Sequence, residues 1–180
     1  MKILPNSAEK IMVFIDGSNM YHGQKDLNFW IDYEKFRDLL KTDRNIIRFH
    51  YYEGYPTPIL PRKESFYAKL RHLEMTVNVR PLRKRVFKCN NCEFEKEISY
   101  EKGIDASLTT DLLWHGFQKS YDTALILTGD DDFVPPIKIV KLMGRRVEIW
   151  TFKDFIGREM KQTADKINLI DDIIDKIKRE

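Results

Sequence analysis

The sequence has few cysteines and no long hydrophobic run, and both shortages restrict the class of protein. Only two cysteines occur among 180 residues, at positions 89 and 92. They lie too close together in the chain to cross-link a fold. No apolar stretch approaches the length of about 20 residues that crosses a bilayer. We therefore expect a fold stabilised by a hydrophobic core, without structural disulfides or a membrane partner.

The N-terminal segment also lacks the apolar stretch of a secretory signal, because Pro5 and Asn6 interrupt it at once. Without an export signal, a reducing compartment is the expected environment, and we predict a cytoplasmic location. A strong excess of one charge is absent as well, since the net charge is only +3. This balance excludes a histone-like protein but permits a phosphate-bearing partner.

Hydrophobic segments and helical patterns alternate along the chain, which predicts an α/β fold with a largely parallel sheet and helices on both faces. The hydrophobic share of 42% is sufficient for one domain of this length. Strands are predicted at 11–15, 46–52, 123–128 and 146–152, and helices at 33–41, 61–74, 105–118 and 134–143.

We predict a single domain over 1–180 with its core at 11–152. A third strand begins near Val77 and continues into a basic β-hairpin insertion at 77–100, with Asn90 and Asn91 at the turn. Isoleucines at helical spacing predict a C-terminal packing helix over 163–180. These isoleucines are Ile167, Ile170, Ile174 and Ile177.

Two predicted strands end in an aspartate beside a glycine. Asp16 and Gly17 follow the first strand, and Gly129 and Asp130 follow the fourth. Ligands of open parallel sheets bind beyond the carboxyl ends of the strands, where the strand order reverses. One such pair is explained by ordinary turn chemistry. Two of them on strands that we expect to be neighbours favour a site.

A third acidic position is Asp105, in the segment Lys102-Gly103-Ile104-Asp105 that precedes the next helix. Asp105 could cap this helix, direct its carboxylate toward the strand ends, or do both. Asp111 lies six residues on, about 240° around the helix, so it cannot share that face. We expect Asp111 to act at most as a supporting group.

Gathered carboxylates repel one another, and such clusters usually persist because a cation occupies them. Ligand sets made only of oxygen suit Mg²⁺ or Mn²⁺. A metal held in this way can activate water and neutralise charge at a phosphate. The acidic pattern therefore predicts one or two divalent ions and hydrolysis of a phosphodiester.

Three motifs of the chain are IDGSN at 15–19, KGID at 102–105 and TGDDDFVPPIKIVKLMGRRVEIW at 128–150. Together they resemble the NYN domain of the PIN-like nuclease superfamily, specifically its LabA-like group. The resemblance runs from about residue 11 to residue 152. It implies a Rossmann-like sheet in strand order 3-2-1-4-5, in which the first and fourth strands are adjacent.

The resemblance also implies roles for individual residues. Asn19 matches an asparagine that orients the first aspartate or a metal-bound water, and Thr128 matches a small hydroxyl residue beside the site. Asp131 departs from the usual serine or glycine, and we expect it to point to solvent. The positions that match the family's acidic metal-binding and catalytic residues are Asp16, Asp105, Asp130 and Asp132.

The hairpin segment RPLRKRVFK contains five basic residues in nine. It could line an RNA path with Phe87 or Phe94 available for stacking, or it could be an edge protected from aggregation by its charge. We favour the RNA path, because the segment leads directly to the KGID motif. The predicted RNA-binding residues are Arg80, Arg83, Lys84, Arg85, Lys88 and Lys102.

The cysteine pair has the spacing of half a zinc knuckle, but a structural zinc site needs four ligands. Zinc at Cys89 and Cys92 would require sharing between two subunits of a homodimer. A reduced turn without metal is the preferred interpretation. The four histidines are scattered and form no metal-binding or nucleophilic pattern.

The sequence thus predicts an endoribonuclease that depends on Mg²⁺ or Mn²⁺ and acts on single-stranded or structured RNA. The alternative is an inactive or weakly active NYN module that binds RNA or protein. A phosphatase is disfavoured, because Ser18 stands where that chemistry normally needs a second aspartate after the first strand.

Overall fold

The computed structural model describes residues 9–89, 91–92 and 94–180. The sequence predictions for the N-terminal segment at Pro5 and Asn6 and for the turn residue Asn90 lie outside these residues. Six parallel strands form the central sheet, namely β1 (Ile11–Asp16), β2 (Ile46–Tyr55), β3 (Met75–Pro81), β6 (Thr123–Leu127), β7 (Arg146–Thr151) and β8 (Lys166–Leu169). Their order in the sheet is β3-β2-β1-β6-β7-β8.

Helices cover both faces of this sheet, and two strands lie outside it. The antiparallel pair β4 (Arg83–Lys88) and β5 (Glu95–Tyr100) forms a hairpin. The helices are α1 (Gly17–Asp26), α2 (Tyr33–Lys41), α3 (Pro61–His72), α4 (Ile104–Phe117), α5 (Val134–Leu142), α6 (Arg158–Thr163) and α7 (Ile174–Ile177). Two 3₁₀ helices span Asp131–Phe133 and Ile170–Ile173.

Alternation along β1 explains why this strand is buried on both sides. Val13 and Ile15 pack into one hydrophobic core with α1, α2, α3 and α7. Met12 and Phe14 face the opposite core with α4, α5 and α6. Successive side chains of a strand point to opposite faces, so a continuous apolar run fits a sheet that helices cover on both sides.

The Rossmann-like α/β class predicted from the sequence is confirmed. The predicted order 3-2-1-4-5 corresponds to the first five strands of the sheet once the hairpin is counted apart, and β8 adds a sixth strand at the edge. The order reverses between β1 and β6, so the carboxyl ends of these two strands form the switch point where ligands bind in such sheets. Within the described residues, no helix has the length and apolar content that a membrane span requires.

The prediction of one helix over 163–180 is wrong. Lys166–Leu169 forms β8, and only the single turn Ile174–Ile177 is α-helical. The isoleucine spacing fits a helix, but the open edge of β7 offers hydrogen-bonding groups that a strand satisfies better. Asp165 begins this pairing, since its carboxylate accepts a hydrogen bond from the Val147 amide at 2.8 Å.

Candidate functional site

Asp16 ends β1 and begins α1 at the switch point. Its Oδ1 accepts a hydrogen bond from the backbone amide of Asn19 at 3.0 Å, which caps the helix. Its Oδ2 accepts a hydrogen bond from the Thr128 hydroxyl at 3.0 Å. Burial raises the pKa of Asp16 to about 6, although these two hydrogen bonds lower it. The charges of Asp105 and Glu101 also raise this pKa.

The segment after β6 is held against α1. The side-chain oxygen of Asn19 accepts a hydrogen bond from the Gly129 amide at 3.2 Å. A side chain at Gly129 would meet the Phe155 carbonyl oxygen at 2.1 Å, so only glycine fits this approach. Thr128 and Asn19 therefore hold the ends of β1 and β6 together. The sequence analysis predicted that both residues lie beside the site.

The side chains of the three consecutive aspartates after Gly129 differ in direction and in hydrogen-bond partners. Asp130 accepts a hydrogen bond from the Asp132 amide at 2.9 Å, and both side chains are exposed. Asp131 turns the other way, and its carboxylate accepts hydrogen bonds from the amides of Met160 at 2.8 Å and Glu159 at 3.3 Å. The prediction that Asp131 points to solvent is wrong, because the free amides at the start of α6 bind its carboxylate.

Asp105 lies in the first turn of α4, where its side chain is exposed. The N-cap of this helix is Gly103, which adopts a left-handed φ of 83°, so capping does not explain Asp105. Partial burial raises the pKa of the Asp105 carboxyl, and the charges of Glu101, Asp130 and Asp132 add to this effect. The carboxylates predicted from three separate motifs thus lie within electrostatic reach of one another.

Glu101 is a site residue that the sequence analysis missed. Its Oε1 accepts hydrogen bonds from the Ser18 hydroxyl at 2.5 Å and from the Gly54 amide at 2.8 Å. It thereby joins the carboxyl end of β2 to the start of α1. The available signal was an acidic residue two positions before Gly103, in the segment that connects β5 to α4.

Five of these carboxylates have no cationic partner among the described residues. No lysine or arginine within the described ranges forms an ion pair with any of them. Burial and the neighbouring carboxylates raise the pKa of Asp16 and of Asp105, and carboxylates gathered without a counter-charge destabilise the fold. This group, named the acidic cluster below, consists of Asp16, Glu101, Asp105, Asp130 and Asp132.

The donor chemistry of the acidic cluster fits a hard divalent cation such as Mg²⁺ or Mn²⁺. In the part of the chain that the structure describes, no three acidic, histidine or cysteine side chains converge closely enough to coordinate one bare ion. Mg²⁺ usually retains several waters and takes only one or two carboxylates directly. The separation of these side chains therefore suits a hydrated ion.

The sequence also drew attention to Asp111, the histidines and the cysteine pair. Asp111, which was expected at most to support the site, accepts a hydrogen bond from the Tyr52 hydroxyl at 2.7 Å, which ties α4 to β2. His50 is buried and stacks on Phe14 at 5.4 Å between ring centroids. Cys89 and Cys92 are free, and no zinc-like group forms among the described side chains.

The hairpin has two chemically different faces, because residues paired across antiparallel strands share a face. On the first, named the paired face, Lys84 and Glu97 form an ion pair at 2.7 Å, and Lys88 pairs with Glu95. On the other, named the cationic face, no lysine or arginine forms an ion pair with a described residue. The cationic face consists of Arg83, Arg85, Phe87, Lys96, Ile98 and Tyr100.

Two further predicted RNA-binding residues, Arg80 and Lys102, are exposed close to the acidic cluster. The guanidinium of Arg80 lies 3.5 Å from the position that a Cβ on Gly103 would take. It therefore lies beside the turn that leads to Asp105. The basic positions predicted from the sequence divide into two exposed side chains near the acidic cluster and four on the hairpin.

Comparison with known proteins agrees with this architecture. The model of the NYN domain family matches residues 10–171. The chain is 21% identical over 166 residues to the low amplitude and bright protein LabA of Synechococcus elongatus, covering 91% of this chain and 85% of that protein. The crystal structure of a protein of unknown function from Vibrio parahaemolyticus has a TM-score of 0.74 at 17% identity, covering 97% of this chain and 98% of that one. That likeness concerns the fold.

The raised pKa of Asp16 predicts a pH-dependent stability in metal-free buffer. The folded protein holds this proton up to about pH 6, whereas the unfolded chain releases it near 3.8. The free energy of unfolding therefore falls as the pH rises from about 4 to about 6, because the folded state binds this proton more tightly than the unfolded chain does. Asp16→Asn should stabilise the protein at pH 7 by roughly 1 to 3 kcal/mol and flatten this dependence. Urea unfolding in EDTA at pH 5 and pH 7 measures both effects.

The matched control is Asp26→Asn, which changes an exposed aspartate at the other end of α1. It should leave the stability and its pH profile close to those of the wild type. A variant Asp16→Asn that is no more stable than the wild type at pH 7 would contradict the destabilising burial of this carboxylate.

Proposed function

Because this chain belongs to the NYN domain family, which indicates a nuclease or RNA-related role, we propose that it is a metal-dependent endoribonuclease. The likeness to LabA together with the family match confirms the LabA-like NYN resemblance read from the motifs. The acidic cluster carries the proposal, since its five carboxylates lie at the switch point of the sheet without a cationic partner among the described residues. Such an arrangement favours a bound divalent cation over a purely structural role.

In this proposal Asp16, Asp105, Asp130 and Asp132 hold one or two Mg²⁺ or Mn²⁺ ions. The ions supply charge neutralisation at the phosphate and lower the pKa of water. Water adds to phosphorus, the bond from phosphorus to the 3′ oxygen breaks, and the products carry a 5′-phosphate and a 3′-hydroxyl. Thr128 and Asn19 keep the Asp16 carboxylate in one orientation, because each bonds within this corner of the sheet.

The RNA strand binds the cationic face of the hairpin and reaches the acidic cluster past Arg80 and Lys102. Guanidinium groups contact backbone phosphates, and exposed aromatic rings stack on bases. Phe87 and Tyr100 supply such rings on the same face as Arg83 and Arg85. The combination suits an unpaired strand, whose bases are free to stack.

The direct test is cleavage of a labelled single-stranded RNA with Mn²⁺, Mg²⁺ or EDTA. We expect cleavage with either metal, products that carry a 5′-phosphate, and no cleavage in EDTA. Asp16→Asn should reduce the rate at least about 100-fold, because it removes a charge that holds the metal. Asp26→Asn, purified in the same way, should keep the wild-type rate.

Two other outcomes would contradict the nuclease. Cleavage that survives in Asp16→Asn would identify a contaminating enzyme. An inactive wild type that still binds RNA would support the alternative of a binding module. The wide spacing of the carboxylates in the described residues is the observation that favours this alternative.

Metal binding should also stabilise the fold, since a cation relieves the repulsion among the carboxylates in the folded state only. We expect millimolar Mg²⁺ or Mn²⁺ to raise the melting temperature by a few degrees, and Asp130→Asn to reduce this shift. Thermal melts with and without EDTA measure the effect. An equal shift for the wild type and Asp130→Asn would show that the ion binds elsewhere.

The two faces of the hairpin provide a matched test of RNA binding. Replacing both Arg83 and Arg85 by glutamine should weaken binding and lower the salt slope by about 1.4 if each contacts one phosphate of a single strand. Replacing both Lys84 and Lys88 by glutamine removes the same charge from the paired face, and we expect a smaller effect. Fluorescence anisotropy at several salt concentrations gives both slopes. Equal losses would mean that only the total charge matters.

A further inference from the structure

A cavity of about 300 Å³ lies beside the acidic cluster, in the layer of helices formed by α1, α2 and α3. This volume is at the lower end of the range of about 300–1,000 Å³ that is typical of small-ligand sites. Five aromatic rings line it, which is an unusually large share for a cavity open to solvent. They are Tyr21, Trp30, Tyr33, Tyr51 and Phe66.

A buried carboxylate keeps the wall of this cavity in place. Glu53 is only 4% exposed, and its Oε2 accepts hydrogen bonds from the hydroxyls of Tyr51 at 3.1 Å and Tyr67 at 2.9 Å. Its Oε1 pairs with the Lys63 ammonium. Lys63 also lies 5.7 Å from the centroid of the Tyr21 ring. The rings and the ammonium group are thus held in position before any ligand binds.

The opening of the cavity is aromatic and basic. Trp30 and Tyr21 are 47% and 39% exposed, and their ring centroids are 5.6 Å apart. Arg179 is held at the opening, because its amide donates to the Trp30 carbonyl at 2.8 Å and its Nε to the Ile31 carbonyl at 3.2 Å. Arg62 is exposed on α3 and forms no ion pair with a described residue.

This cavity adjoins the acidic cluster through one residue. Gly17 lines the cavity and follows Asp16 directly in the chain. A Cβ on Gly17 would meet the Tyr51 hydroxyl at 2.5 Å, so the start of α1 packs on the cavity wall. A ligand that spans both places needs a phosphodiester at one end and a flat aromatic group at the other. A nucleotide has both.

We propose that this cavity binds the base of an unpaired nucleotide next to the phosphodiester that is cleaved. The base stacks on Trp30 and Tyr21, and the phosphate of the same nucleotide contacts Arg62 and Arg179. A base in a duplex cannot enter, so the cavity selects single-stranded RNA. The proposal rests on the proposed nuclease function for its position beside the cleaved bond, but not for the binding itself.

Binding of AMP and of adenosine, titrated in EDTA to keep metal out of the acidic cluster, tests the cavity without any cleavage. Isothermal titration calorimetry should show that Trp30→Ala weakens AMP binding at least about fivefold, the lower range for loss of one stacked base. Trp30→Phe retains a ring and should restore most of the affinity. The matched control is Trp114→Ala, which removes an exposed tryptophan of α4 and should bind AMP like the wild type.

Arg62 separates the phosphate contact from the stacking contact. AMP should bind the wild type more tightly than adenosine does, and Arg62→Ala should reduce this difference about fivefold or more while leaving adenosine binding unchanged. Thermal melts establish that every variant is folded. Absence of AMP binding to the wild type, or equal binding to Trp30→Ala and Trp114→Ala, would overturn the proposal.

The Asp16→Asn variant distinguishes failure of the cavity from failure of the nuclease. It should bind AMP like the wild type and cleave RNA at least about 100-fold more slowly. If the wild type binds AMP but never cleaves, the cavity proposal stands for binding and the nuclease fails. If it cleaves RNA as fast next to an abasic nucleotide as next to an intact one, the nuclease stands and the cavity proposal fails.

Discussion

The parallel pairing of β1 with β6 is the constraint on which the candidate site depends. Ile15 pairs with Leu127 in this register, so the next residues, Asp16 and Thr128, end their strands side by side. The hydrogen bond between them then closes the corner, and Asn19 adds a second link through Gly129. Side chains of a strand alternate between the two faces of a sheet. A shift of the β1–β6 pairing by one residue would therefore separate Asp16 from Thr128. The buried apolar residues of both strands prevent that shift.

The acidic cluster lowers the stability of the fold when no cation is bound. Two carboxylates about 5 Å apart repel by roughly 3 kcal/mol at an effective dielectric constant near 20. The whole stability of a domain is about 5–15 kcal/mol. Burial on both faces of the sheet offsets this repulsion, since β1, which ends in Asp16, and β6, which precedes Asp130, are buried along their whole length. A buried carboxyl whose pKa is raised, such as that of Asp16, is typical of functional sites.

The lysines and arginines of the hairpin and the cavity have different neighbours. Lysines on the paired face of the hairpin are neutralised by glutamates of the neighbouring strand, whereas Arg83 and Arg85 are left beside aromatic rings. Arg62 and Arg179 likewise lie beside the rings that line the cavity. The hairpin and the cavity thus both combine aromatic rings with guanidinium groups.

The sequence by itself determined the α/β class, the bounds of most strands and helices, and the four aspartates with Asn19 and Thr128. These features follow from local patterns, namely hydrophobic periodicity and the residues that end each strand. Strand β8 and the direction of the Asp131 carboxylate depended on hydrogen-bonding groups offered by distant segments. The same holds for Glu101, whose partners Ser18 and Gly54 are far away in the chain. The faces of the hairpin and the cavity emerged only from tertiary structure, because strand register and the packing of α1 against α3 decide which side chains meet.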